Sequence, residues 1–130
     1  MDVPTGLKCK MRADLVHFDV NVIADLKTTQ SVSTNNIKEA IKRYKYDLQM
    51  GWYALGYETL TGNSLKSFRL IFVSSVKPYV VRVINIDTAA LSNFKESARL
   101  CLDTYAQLSV EGKWEAYPGS TTMSLLDLYS

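Results

Sequence analysis

Residues 21–30 read NVIADLKTTQ. An apolar run, Val22 to Ala24, meets a carboxylate at Asp25; then come Leu26, Lys27 and two threonines, Thr28 and Thr29. On a β-strand residues i and i+2 point the same way. Asp25 and Lys27 therefore share a face, and Leu26 points into the opposite layer. Neither Asp25 nor Lys27 reads as a core-packing residue. Upstream, LKCKMRADLVHF (7–18) partly alternates and is rich in strand formers toward its end. The segment 20–28 reads as a second strand, with FDVN (18–21) as the turn. So short a connection favours an antiparallel hairpin, and a hairpin folded near Phe18–Asn21 brings Asp14 close to Asp25.

Beyond the hairpin, TTQSVSTNN is a polar loop ending in Thr34, Asn35 and Asn36, each able to cap a helix. From Asn36 to Leu60 the pattern is helical: Ile37, Ile41, Tyr44, Leu48, Trp52 and Leu55 succeed one another at spacings of four, three, four, four and three, one continuous apolar stripe. Gly62 ends that helix. FRLIFVSS (68–75) and YVVRVINI (79–86) read as strands joined around Pro78. A last helix begins at Asp87 or Thr88 and buries Leu91, Phe94, Ala98, Cys101, Leu102, Tyr105 and Leu108 before Gly112 stops it. The remaining tail is irregular, with Trp114 and Tyr117 as candidate anchors. The order ββαββα predicts an α/β fold with a central mixed sheet flanked by helices.

The chain has 130 residues, suited to a single domain with one core, and 47% hydrophobic against 22% charged residues is an ordinary globular mixture. A net charge of +2 is too small to argue for nucleic acid, so that case must rest on local clustering. Cys9 and Cys101 are far apart with no CxxC spacing, which speaks against zinc; they read as small buried hydrophobes of a reducing compartment. No apolar run reaches the length of a membrane span and no signal-peptide pattern opens the chain, so the expectation is a cytoplasmic protein with no membrane partner.

Two close carboxylates repel unless a cation lies between them. A hard divalent ion such as Mg²⁺ takes oxygen ligands of this kind, and Asp14, Asp25 and the backbone carbonyl of Leu26 could supply three. Lys27 could orient an attacking water or stabilise a charged transition state. That is the equipment of phosphodiester hydrolysis; an Asp–Lys pair on an exposed strand, by contrast, is usually only solvated. On the long helix Tyr46, Gln49 and Tyr53 cluster on a second face with Lys42, away from the apolar stripe. Lys38, Lys42, Arg43 and Lys45 near its start could hold DNA phosphates or form a solvated face. Thr28 and Thr29 could contact phosphate or simply favour a strand end. His17 has no evident partner and reads as a hairpin residue without a catalytic role.

RADLVHFDVNVIADLKTT resembles the core motif of the PD-(D/E)xK nuclease superfamily: an aspartate, a short gap, then D-x-K. YKYDLQMGWYALGY, with Gln49 and Tyr53 in a Q-x-x-x-Y relation, is similar to the RecE (exonuclease VIII) and lambda-exonuclease-like branch, and LIFVSSVKPYVV and GKWEAYPG carry the likeness to about Pro118. The resemblance implies a restriction-endonuclease-like core, with Asp14 and Asp25 as metal ligands, Lys27 as the catalytic lysine, and Gln49 and Tyr53 lining the site. It implies a Mg²⁺-dependent deoxyribonuclease, with Mn²⁺ as substitute, acting as an exonuclease on double-stranded DNA ends. Thr28, Thr29, Lys42, Arg43, Lys45 and Tyr46 would contact the DNA. The activity would feed strand-annealing recombination beside a single-strand annealing protein, often in phage, and relatives of this type commonly form ring homo-oligomers.

Many relatives carry a glutamate-bearing helix before the hairpin. The short stretch before Asp14 leaves no room for it, so the chain reads as a fragment or a minimal member, with Asp2 and Glu39 the acids available in its place. This departure opens a second reading: a catalytically weakened nuclease-fold module that binds DNA or a recombination partner.

Overall fold

The hairpin forms where the alternation places it, around a turn at residues 18–21 whose last residue, Asn21, adopts φ 56°. Asparagine tolerates this left-handed conformation better than most residues. The Tyr57 hydroxyl donates to Asn21 Oδ1 at 2.6 Å and pins the turn from the helix side. The computed structural model describes Asp2 and residues 4–112. Trp114, Tyr117 and most of the GKWEAYPG stretch lie outside the described residues.

The chain order is β1 (Leu15–His17), β2 (Val22–Thr29), α1 (Thr34–Arg43), α2 (Tyr46–Thr61), β3 (Ser67–Ser74), β4 (Val81–Ile86) and α3 (Thr88–Glu111). The sheet runs β1-β2-β3-β4. β1 and β2 pair antiparallel, β2 and β3 parallel, and β3 and β4 antiparallel. The parallel step requires a crossover, which α1 and α2 supply. The fold is therefore α/β with a mixed sheet and helices, as the pattern predicted.

Register decides what shares a face. Ile23 pairs with Phe68, Asp25 with Leu70, and Lys27 with Phe72. Ile23, Phe68, Leu70 and Phe72 are fully buried and join Met50, Ala54, Tyr57 and Leu91 from the helices in one core. Asp25 thus enters the molecule on its core side. The other sheet face is open at Leu15, Leu26, Val81 and Val83.

Three expectations are corrected. The helix expected over 36–60 is two helices, because Lys45 sits at φ 57°, ψ 41° between α1 and α2. The break shifts the helical phase of residues 46–61 relative to α1. Met50, Gly51, Ala54 and Tyr57 are the buried positions of α2, Tyr44 is exposed, and Leu48, Trp52 and Leu55 lie at the half-buried margin. Next, β1 is only three residues long, and the segment from Leu7 to Ala13 is not a strand. Ladder pairing stops there because the Asp14 carboxylate accepts the Leu26 N–H at 2.9 Å, the place a strand carbonyl would otherwise take. Finally, Cys9 and Cys101 are exposed. α3 has 24 residues, and most of those beyond Ala98 are exposed. Only Leu91 and Ala98 of the expected stripe are fully buried.

α2 and α3 cross closely: a Cβ on Gly51 would overlap the Phe94 carbonyl. Lys95 and Glu58 bridge the same helices at 2.7 Å. The segment before β1 is tethered to α2, with Trp52 Nε1 donating to the Lys10 carbonyl at 3.1 Å and the Tyr53 hydroxyl to that of Arg12 at 2.7 Å. These ties set the position of Asp14, two residues beyond Arg12.

Candidate active site

Asp25 projects from the middle of β2 with a relative exposure of 4%, buried by the same alternation that buries Ile23. The expectation that Asp25 is not a core residue is corrected: its side chain is buried on the core side of the sheet. Lys27, one pleat further, places its ammonium 2.6 Å from Asp25 Oδ2. Oδ2 is buried and makes no other polar contact among the described residues, so the lysine's charge is what balances it. Lys27 Nζ donates to Gln49 Oε1 at 2.8 Å and lies 4.3 Å from the centre of the Tyr46 ring. Gln49 Nε2 reaches the Tyr53 hydroxyl at 3.4 Å. A chain of polar contacts therefore runs from Lys27 through Gln49 and Tyr53 to the Arg12 carbonyl, two residues before Asp14.

Asp14 and Asp25 come together as the hairpin requires. Burial pushes the Asp25 carboxyl above the usual carboxylate range and Asp14 beside it adds to the rise, while Lys27 draws it back. Asp14 is held below that range, first by its hydrogen bond with Asp25 and then by the Leu26 N–H. The two acids are therefore pushed apart, Asp25 upward and Asp14 downward.

The oxygens suit a small hard cation. Asp25 Oδ2 lacks a donor, and Asp14 stands within hydrogen-bonding reach of its partner. In a paired strand the N–H and C=O of one residue leave by the same edge. The Leu26 N–H points at Asp14, so the Leu26 carbonyl opens beside the acids. Two carboxylates and a carbonyl with water completing the shell is a donor set Mg²⁺ accepts. No group of three or more His, Cys, Asp or Glu side chains gathers among the described residues. Asp2, one of the acids considered as a further ligand, instead holds the Arg99 guanidinium at 2.7 and 2.8 Å on α3.

The candidate DNA contacts divide. Thr28, Thr29, Arg43 and Tyr46 line a polar cleft of about 410 Å³ where β2 ends against α1. The Thr29 hydroxyl donates to the Ser31 carbonyl and accepts from Asn36 Nδ2, so it serves the loop. Lys42 and Lys45 are exposed outside that cleft. Tyr46 does not face solvent with the lysines as its helical position suggested. It packs between Lys27, Tyr44 and Phe72. Tyr53 likewise packs near Phe68. His17 is exposed, 4.0 Å from Asp19 and away from the site. Sequence reasoning missed Gln30, Tyr44 and Ser75 as cleft residues and gave Glu39 no part in such a cleft. The missed signal was the doubled aromatic Tyr44–Tyr46 astride the helix break.

The sequence profile of a family described as "PDDEXK-like domain of unknown function (DUF3799)" matches residues 2–124. The chain belongs to this PDDEXK-like family. A crystal structure of a "Putative exonuclease" from Eubacterium rectale aligns with a TM-score of 0.56 at 16% identity, covering 84% of this chain and 47% of that one. The likeness is one of fold, and the chain spans about half the length of that protein. No curated protein matches the sequence. The acid pair, the lysine and the mixed sheet thus sit in a PDDEXK-like domain of restriction-endonuclease-like fold. Among the described residues no helix is long and apolar enough to cross a membrane.

Proposed function

We propose that this domain hydrolyses phosphodiester bonds of DNA as a Mg²⁺-dependent deoxyribonuclease acting at duplex ends. The observation that carries the reading is the convergence of Asp14, Asp25 and Lys27 on one spot, with Gln49 steadying the lysine. A bound divalent ion would supply Lewis-acid charge against the negative charge developing on phosphate. Asp14 and Asp25 would hold it with the Leu26 carbonyl. Its charge would also offset the repulsion between the two carboxylates. Lys27, then released from its role as Asp25's counter-charge but still bonded to Gln49, would orient water or face the transition-state charge. Gln49 and Tyr53 hold that lysine in register with Asp14.

The RecE-like pattern of Gln49 and Tyr53 supports exonuclease over endonuclease action, and with it a role in strand-annealing recombination beside an annealing protein and in a homo-oligomer. The test is degradation of linear against circular duplex with Mg²⁺ or Mn²⁺. Linear duplex should be lost from its ends, and Asp25→Asn and Lys27→Ala should each abolish the loss. Wild-type rates in both variants would dismiss the site.

The small acid set favours one second reading, a weakened module that binds DNA without cutting it. Mn²⁺ separates the two. At a hundredfold excess over its dissociation constant a bound ion stabilises by about 2.7 kcal/mol. A rise in melting temperature that vanishes in Asp14→Ala supports the nuclease, whereas DNA binding with no metal response supports the module.

A further inference from the structure

The polar cleft at the end of β2 lies one aromatic ring away from the proposed catalytic lysine. Tyr46 forms part of its lining and carries the Lys27 ammonium on its ring at 4.3 Å. Tyr44 stacks on Tyr46 with centroids 5.7 Å apart and planes 28° apart, yet remains 61% exposed. An exposed ring stacked on a fixed one is a rigid platform, and the Arg43 guanidinium, 5.7 Å from the centre of the Tyr44 ring, adds a second flat group against which a base can lie. The volume, about 410 Å³, is that of an ordinary small-molecule site.

The charge of the cleft argues against phosphate as its ligand. Arg43 and Glu39 both line it and offset one another, while Lys38, Lys42 and Lys45 of the basic run do not. A carboxylate repels a phosphate but accepts hydrogen bonds from the exocyclic amino group of a base. Asn36 directs its amide nitrogen to Thr29 Oγ1 at 2.8 Å and the Ser31 carbonyl at 2.6 Å, holding the rim in shape. Glu39 and Gln30 make no side-chain hydrogen bond among the described residues and are free to meet a ligand. The cleft thus offers an aromatic face and a polar edge with no net positive charge.

We propose that this cleft seats one unpaired nucleobase of a DNA strand, stacked on Tyr44 with its edge toward Glu39, while the adjoining phosphate lies at Asp14, Asp25 and Lys27. The inference rests on the nuclease reading and sharpens its substrate: a strand end that is single-stranded or frayed. A paired base has its edge engaged by its complement and its faces by neighbouring pairs. Only an unpaired one can present both to the protein.

The test is binding of fluorescent single-stranded twelve-mers to the full chain in metal-free buffer, beside a cleavage assay on linear duplex. Stacking on an aromatic side chain is lost on truncation to alanine. Tyr44→Ala should therefore weaken binding roughly tenfold or more, while Tyr44→Phe keeps it near wild type. An oligonucleotide with an abasic terminal nucleotide should bind wild type as weakly as the intact strand binds Tyr44→Ala. The melting temperature should be unchanged in Tyr44→Phe and fall in Tyr44→Ala only by the loss of the stack on Tyr46.

Equal affinity of Tyr44→Ala and wild type, or of abasic and intact strands, overturns the base seat even where duplex cleavage persists. Competition by inorganic phosphate that depends on Arg43 and not on Tyr44 overturns it in favour of an anion site. Tyr44-dependent binding in a protein that neither cuts DNA nor responds to Mn²⁺ upholds the seat and removes the nuclease.

Discussion

Lys27→Ala should cost the fold stability in a manner that depends on pH. The side chains of Asp25 and Lys27 are 6% and 14% exposed, and their charges lie 2.6 Å apart. Deleting one member of a buried pair leaves the other charge uncompensated and typically costs about 3–5 kcal/mol. Gln49 Oε1 also loses the donor it holds at 2.8 Å. Asp25 has an escape, which is to keep its proton. Burial, then Asp14, already push its folded pKa above the unfolded value, and Lys27 is what pulls it down.

A carboxyl whose folded pKa is raised lends stability that is complete below the unfolded pKa and is lost as pH rises through the folded one. Asp14 is depressed and behaves oppositely, its contribution being lost as pH falls through its folded value. Without Lys27 the Asp25 carboxyl rises further, so the variant and wild type should converge at acid pH and separate as pH climbs. Urea unfolding monitored by tryptophan fluorescence at about pH 5 and about pH 8 would measure this, with a gap of roughly 3 kcal/mol or more expected at the higher pH. Lys27→Arg, which keeps the charge, should recover much of it. Parallel stability curves for wild type and Lys27→Ala would refute the reasoning, because they would mean that Asp25 carries no buried charge for Lys27 to balance.

Gly51→Ala should destabilise by about 3 kcal/mol or more, since the new methyl collides with the Phe94 backbone at the α2–α3 crossing; an unchanged urea midpoint would mean the helices do not meet there. Asn21→Ala removes both the left-handed turn residue and the acceptor of the Tyr57 hydroxyl, for a loss of about 1–3 kcal/mol in chemical denaturation, and Asn21→Gly should restore the backbone share alone. Lys45→Gly should be neutral or slightly stabilising, whereas Lys45→Val, β-branched at φ 57°, should cost about 2 kcal/mol and slow DNA cleavage by moving Tyr46 and Gln49; equal stability of the two variants would dispose of the strained break.

The hairpin was legible because two local signals agree: alternation fixes which side chains share a face, and a turn sequence ending in asparagine fixes where the chain reverses. Together they place Asp14, Asp25 and Lys27. β3 and β4 were legible for a similar reason, being dense in β-branched and aromatic residues. The helix break was not legible. The apolar spacing continues smoothly through Tyr44 to Leu48, and no glycine or proline marks Lys45. A lysine in the left-handed region leaves no compositional trace. The error propagated into the site, because the phase shift turns Tyr46 and Tyr53 inward, where an unbroken helix would have left them on a polar face. Cys101 failed for a different reason: periodicity identifies the apolar stripe of α3 but not how far along the helix its packing partners continue.

Four departures from local rules lie around Asp25 and Lys27 of β2. A carboxylate is buried beside another carboxylate, a buried oxygen has no donor, a strand ladder gives way to an aspartate side chain, and a lysine holds a left-handed backbone between two helices. Each is unfavourable for folding on its own, and an apolar residue at 25 would pack the same core at lower cost. They have a common geometric effect. The ladder's early end frees the edge of Leu26 for Asp14, and the break at Lys45 swings Tyr46 and Gln49 onto the lysine that faces Asp25. Their contiguity is the physical argument that the constellation is chemical equipment, and it ties the family's D-x-K element to residues as far along the chain as Tyr53.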